Sequence, residues 1–147
     1  MAAEGFTFGF GYDPTVEWSS YLKSLDDHRR GVNLPEGLVS DTFLVADVEG
    51  AIVGRASIRH ELNERLEREG GHIGYCVLSN YRRRGYATNI LRQSLIIARA
   101  IGVERVLVTC DDDNAGSITV IERCGGKLDS VIRTASSATL KRRYWID

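Results

Sequence analysis

The chain has 147 residues, 43% of them hydrophobic and 27% charged, with a formal net charge of −1. That length suits one domain with a core of its own, and the composition is ordinary for a globular protein. The charge balance argues against bulk attraction to nucleic acid or an anionic membrane, and no apolar run approaches the roughly 20 residues of a membrane helix.

Near the start, Phe6, Phe8 and Phe10 alternate with Thr7 and Gly9, which allows a short strand that the glycines weaken. The opening Met-Ala-Ala-Glu-Gly lacks the basic-then-apolar layout of a signal peptide. Asp13-Pro14 reads as a helix N-cap followed by proline at the first helical position. Trp18, Tyr21, Leu22 and Leu25 then form an amphipathic stripe expected to pack in the core. The helix is expected to run to Arg30, and residues 31–37 form a loop.

Thr42–Ala46 and Ala51–His60 read as two antiparallel strands about an Asp47–Gly50 turn. Residues 61–71 are polar and form a loop, with room for one helical turn through Leu62–Leu66. The next stretch organises the rest. Ile73, Tyr75 and Val77 alternate as in a strand, and Ser79-Asn80 break the run. After Arg84-Gly85-Tyr86, Ala87, Ile90, Leu91, Leu95 and Ala98 fall on one helical face. Ile101-Gly102 ends that helix, and Arg105–Cys110 is a further apolar strand. A strand, helix and strand in this order make a βαβ unit, so the two strands are expected to lie parallel in one sheet. Ala115–Cys124 reads as a helix with Val120, Ile121 and Cys124 inward, stopped by Gly125-Gly126. Lys127–Arg133 and Leu140–Ile146 are expected as the last strands.

Three cysteines, Cys76, Cys110 and Cys124, fit no disulfide framework and imply reduced thiols and a cytoplasmic location. The histidines His28, His60 and His72 are scattered, there is no Cys-x-x-Cys, and no metal site is expected.

A helix that begins just after a tight turn presents several unpaired N–H groups and a partial positive charge. Such an end binds anions, phosphate above all. Gly85 lacks a Cβ and lets a ligand approach the backbone. Arg82, Arg83 and Arg84 add formal charge, so the segment reads as a diphosphate cradle. The competing reading is a solvated basic run, or part of a nucleic-acid patch, beside an ordinary turn.

Arg82-x-x-Gly85-x-Ala87 resembles the Arg/Gln-x-x-Gly-x-Gly/Ala signature of the GNAT superfamily of acetyl-coenzyme-A-dependent N-acetyltransferases. Further blocks extend the resemblance over roughly residues 40–131. Asn114 follows the fifth strand, Ser117 stands three residues on, and Glu122-Arg-Cys-Gly125 resembles the family's Glu-Lys-x-Gly ending. Within the superfamily the chain is most similar to a little-characterised bacterial subgroup. That likeness rests on Ile58-Arg-His-Glu-Leu-Asn63, Gly71-Gly-His-Ile-Gly-Tyr75, Val120-Ile-Glu122 with Gly125-Gly126, and Arg143-Tyr-Trp-Ile146.

The resemblance implies a single α/β domain spanning 1–147. Its mixed sheet would have six to seven strands, flanked by three to four helices and split between the fourth strand (72–78) and the fifth (105–110). Acetyl-coenzyme A would lie in that split, without a metal. Its pyrophosphate would rest on the Arg82–Thr88 segment, including Tyr86 and Ala87. Its pantetheine arm would pair with the backbone near Tyr75 and Val77, and Asn114 and Ser117 would stand beside it; the alternative for Asn114 is a helix cap. The implied reaction is direct attack of a primary amine on the thioester. A neutral amine needs a proton acceptor, the oxyanion needs a donor such as the Val77 N–H, and a thiol pKa of roughly 8.5 makes the thiolate a fair leaving group.

His72, Glu61 with His60, or a water chain are the candidate bases; strand parity turns His72 away from Ile73 and Tyr75. The family's usual acid, a Tyr seven residues after the loop Asn, is here Ile121. Tyr144 or Tyr75 could substitute, or no acid is needed. The expected acceptor is a small-molecule amine, in a pocket closed by loops 31–39 and 61–70. Asp26, Asp27, Glu36, Glu61 and Glu64 are its candidate acidic partners. A peptide or protein amine, and a non-catalytic coenzyme A sensor, are the alternatives. Relatives often pair, so a homodimer is open.

Overall fold

A computed structural model of the chain describes residues 9–147. The expected Phe6–Phe10 strand falls mostly outside the described residues. Phe10 itself stacks on Phe43 at 4.8 Å between ring centroids.

Helix α1 spans Trp18–Arg30 and starts later than the Asp-Pro pair suggests. The Asp13 Oδ1 is already engaged by the Thr15 N–H and hydroxyl at 2.8 and 2.7 Å, a local turn that competes with capping. Gly31, at φ 69°, ends the helix in the left-handed conformation. The expected core stripe is corrected. Tyr21 is buried, but Trp18 and Leu22 are 48% and 47% exposed. Trp18 packs within an aromatic cluster with Tyr12 and Tyr21.

Strands β1 (Asp41–Val48) and β2 (Ala51–Arg59) form the expected hairpin. Glu49 and Gly50 both take positive φ, 53° and 82°, as a type I′ turn requires. The Asp47 carboxylate accepts the Gly50 N–H at 3.0 Å. A bulge between Ala46 and Asp47 carries β1 past the end its apolar run implied.

Residues 66–70 form a one-turn π-helix, Leu66–Gly70, where the sequence allowed a helical turn ending at Leu66. Asn63 caps it through Leu66 N–H at 3.0 Å. Its carbonyls, which a helix end leaves unpaired, are bonded by side chains from the strands beneath. Arg59 bonds Gly70 and Gly71, Thr109 bonds Glu69, and Arg143 bonds Glu67. The turn is therefore strapped across both sheets.

Strand β3 (Ile73–Val77) is followed by helix α2 (Tyr86–Ala100), β4 (Val106–Asp111), helix α3 (Ala115–Arg123), β5 (Lys127–Ile132) and β6 (Lys141–Ile146). The described strands form two three-stranded sheets, ordered β1-β2-β3 and β4-β6-β5, and every pairing within them is antiparallel. β3 and β4 thus do not share one sheet, as the βαβ pattern predicted. Among the described residues they are joined at one end, where the His72 N–H donates to the Leu107 carbonyl at 2.7 Å. The main core lies against α2 and α3 and joins Ile58, Ile73, Leu91, Leu95, Val106, Val108, Ile121 and Tyr144. Ser94 is buried on the inner face of α2 in addition to the residues its apolar period marks. The three cysteines are free thiols.

Candidate active site

The β2–β3 pairing decides where the free backbone groups of β3 point. The Arg59 N–H donates to the His72 carbonyl at 2.7 Å, and the Leu78 N–H to the Val53 carbonyl at 2.9 Å. With Ile58 opposite Ile73 and Gly54 opposite Val77, the groups of Gly74 and Cys76 face β2. Those of Tyr75 and Val77 therefore face the opening between β3 and β4. The Val77 carbonyl is taken by the Arg82 guanidinium at 3.0 Å, and the N–H groups of Tyr75 and Val77 are directed into the split.

Beyond the split the chain turns through the short 3-10 helix Ser79–Tyr81 into α2. Arg83 and Gly85 take positive φ, 62° and 84°, and bring the backbone round sharply. Gly85 is the N-cap of α2 and has no side-chain capping bond, so Tyr86, Ala87 and Thr88 present first-turn N–H groups. A Cβ at Gly85 would meet no atom within 4 Å, which is the open backbone an approaching anion needs. Arg82, Arg83 and Arg84 are exposed around this end, and Arg84 lies 5.7 Å from the Tyr81 ring centroid. The structure thus brings together β3's free edge and the arginine-flanked helix start.

Asn114 caps α3, its Oδ1 accepting the Ser117 N–H at 3.0 Å, so the capping reading is realised. Tyr75 sends its hydroxyl inward, where it is buried beside the Ser117 side chain and makes no hydrogen bond of good geometry among the described residues. Burial pushes that phenol up to about 12, with the Ser117 hydroxyl pulling the other way. The Cys110 thiol, likewise raised by burial, stands at about 11. Both groups stay protonated at neutral pH.

The candidate proton carriers are scattered. His72 is buried at the closed end of the split, and its Nδ1 accepts the Leu107 N–H at 2.9 Å. With its own N–H on the Leu107 carbonyl, it pins the two sheets together. An imidazole that accepts at Nδ1 carries its proton on Nε2, and burial, with Arg59 nearby, lowers its pKa. Tyr144 is fully buried in the α3-facing core, donating to Glu122 at 3.2 Å and accepting from Arg142 at 3.4 Å. Glu61 is exposed beyond the end of β2. His60 is bonded to the Thr42 hydroxyl at 2.8 Å. Ile121, at the family's usual tyrosine position, is fully buried.

On the α1 side of the first sheet, residues 37–39 and 65–66 close a cavity of about 50 Å³. Both segments lie within the loops expected to close a pocket. Its acid is Asp41, which the sequence left outside the strand. Asp26 is half-buried and paired with Arg29 and Arg30, and Asp27 stands 4.0 Å from Lys23. Glu36, Glu61 and Glu64 are exposed. Among the described residues no group of three His, Cys, Asp or Glu is placed to hold a metal, and no helix is long and apolar enough to cross a membrane.

Several solved structures share this fold. The ribosomal-protein-alanine N-acetyltransferase from Brucella melitensis aligns with a TM-score of 0.65 at 20% identity, covering 99% of this chain and 87% of that one. An N-acetyltransferase from Staphylococcus aureus Mu50 aligns at 0.65 and 14% identity, covering 96% and 83%. The microcin C7 self immunity acetyltransferase MccE, solved with acetyl-CoA and AMP, aligns at 0.62 and 20% identity, covering 87% and 68%. No curated protein sequence matches the chain. The profile of the acetyltransferase (GNAT) family matches residues 11–126, and the chain belongs to that family.

Proposed function

We propose that this acetyltransferase moves the acetyl group of acetyl-CoA to a primary amine of a small molecule, by direct attack within a ternary complex. The observation that carries the reading is the open edge of β3 running into the uncapped start of α2. The first-turn amides and arginines suit the cofactor's pyrophosphate. The Tyr75 and Val77 N–H groups suit an added extended arm, as in strand addition. At that edge the Val77 N–H is also the oxyanion donor. Bound there, acetyl-CoA supplies an activated carbonyl and a good leaving group; the protein aligns the amine with it.

The small-molecule acceptor is supported by the cavity beyond Arg59, about 50 Å³ in volume and closed by residues 37–39 and 65–66. That shape suits one end of a compact ligand. Proton removal is assigned to water at the split, because His72 and Tyr144 are committed to structural bonds and Glu61 lies in solvent. The departing thiolate needs no acid near its own pKa of roughly 8.5, which accommodates Ile121.

Incubation with acetyl-CoA and a panel of small amines, following free thiol, tests the proposal. Release above the hydrolysis rate for at least one amine is expected. Release only with peptide N-termini transfers the activity to a protein acceptor. Coenzyme A binding without turnover on any acceptor makes the chain a sensor.

A further inference from the structure

We infer that the cavity between α1, residues 37–39 and the π turn is a binding site for a zwitterionic amino-acid head group. The acceptor would then be an α-amino acid whose side chain ends in a primary amine. This rests on the transferase reading above and gives its acceptor class.

The cavity is lined by Phe10, His28, Leu38, Asp41, Phe43, Arg59 and Arg65, among others. Asp41 is only 7% exposed, yet among the described residues its Oδ1 makes no hydrogen bond of good geometry, although the Ile58 backbone N–H lies near the carboxyl group. Its Oδ2 accepts the Ser57 hydroxyl at 2.6 Å and lies 3.8 Å from the Arg59 Nε. A buried carboxylate oxygen left unpaired is costly, and an ammonium of the ligand would satisfy it. Arg59 cannot turn to do so, because its Nη1 is held by the Gly70 and Gly71 carbonyls.

Charge selects the rest of the head group. One carboxylate and two guanidiniums line the cavity, so a purely cationic ligand would add to a positive excess. A carboxylate beside the ammonium removes that conflict by meeting Arg65, which is exposed at the rim. The volume of about 50 Å³ has room for about four water-sized groups, enough for such a head.

The bound ammonium is not the nucleophile. A neighbouring carboxylate holds an amine in its protonated form, and attack needs the neutral one. The reacting amine must be a second nitrogen, at the far end of the ligand. Asp41 pairs with Arg59, and Ser57 pairs with Gly74, on the strand that borders the split. Two strand spacings and two residue rises put Asp41 and Gly74 about 12 Å apart between Cα atoms. Allowing for the carboxylate's own reach and one hydrogen bond, about 6–7 Å is the least the ligand must span to reach β3, so a lysine-length chain is the shortest that serves. In the transfer the far nitrogen's lone pair forms the C–N bond and the C–S bond breaks. Coenzyme A leaves as thiolate, and the amine's proton goes to water.

L-lysine, cadaverine and n-pentylamine differ only at the head group. Their binding to the protein saturated with coenzyme A is measured by calorimetry, and their acetylation as thiol release from acetyl-CoA. L-lysine is expected to bind about tenfold or more tightly than n-pentylamine, with cadaverine weaker than L-lysine. Asp41→Asn should remove that advantage, and Arg65→Gln should remove the preference for L-lysine over cadaverine. Leu38→Arg, at the exposed rim, should also weaken L-lysine and serves if Asp41→Asn fails to fold. Equal binding of the three compounds by the unaltered protein overturns the inference, as does unchanged L-lysine binding in both Asp41→Asn and Leu38→Arg. Asp41-dependent L-lysine binding with no thiol release from any amine supports the site and sinks the transferase reading. Acetylation of n-pentylamine as efficient as that of L-lysine does the reverse.

Discussion

Gly85 and His72 show how single residues divide the work at the split. Gly85 sits at φ 84° with open space where a Cβ would stand, so any replacement carries a similar left-handed backbone cost of about 1–2 kcal/mol. Asp and Asn share that cost and differ in charge. Calorimetry should therefore find coenzyme A at least about tenfold weaker for Gly85→Asp than for Gly85→Asn. Equal affinities would remove the diphosphate from this helix end. His72 makes a prediction about pH. Its folded pKa lies below 6.5 because burial and Arg59 oppose its charge, so the unfolded chain binds the proton first. Its contribution to stability is present above 6.5 and is lost as the pH falls through the folded value. Melting temperature should drop between pH 7.5 and 5.5, and His72→Gln should flatten that drop. Asp41 has the opposite sign, since burial raises its carboxyl against the pull of Ser57 and Arg59. Comparing the variant with the parent at each pH cancels that second contribution.

At the level of elements, what was legible in the sequence followed local period and local chemistry. The β1–β2 hairpin, the β3–α2 junction and the Asn114 cap each depend on residues a few positions apart. Replacing Asn114 by alanine should cost about 1 kcal/mol, read as a lower denaturation midpoint. Other features were hidden because their causes are distant. The start of α1 depends on a side-chain turn at Asp13 that the Asp-Pro pattern does not distinguish from a cap. Asp41 fell just outside the strand expected from Thr42, whereas it heads β1 and is buried. The π turn draws its stability from Arg59, Thr109 and Arg143, one on each of three strands. The backbone polarity of β3 gives a direct test by hydrogen exchange. Amides of Gly74 and Cys76, bonded to β2, should be protected with or without cofactor. Those of Tyr75 and Val77 should exchange quickly alone and slow markedly once coenzyme A is bound. No change at the latter pair would place the pantetheine elsewhere.

Over the whole molecule, the resemblance pointed to an α/β domain whose sheet splits between β3 and β4, whereas the strand-helix-strand pattern set those strands side by side in one sheet. Strand-helix-strand order sets the direction of β3 and β4 and cannot say whether they touch. The answer lies in a contact between residues 72 and 107, far apart in the chain. Gly71 stands at that contact with φ 65° and ψ −174°, a conformation open essentially to glycine alone. A Cβ there would lie 2.5 Å from the Leu107 carbonyl oxygen. Gly71→Ala should accordingly cost about 2–4 kcal/mol in stability, from backbone strain and overpacking together. The pair of ribbons behaves as a compass whose legs meet at that pivot. A displacement of a few tenths of an ångström at the vertex is magnified with distance along the legs. The width of the opening between β3 and β4 is thus governed by the smallest side chain in the protein, set at its closed end.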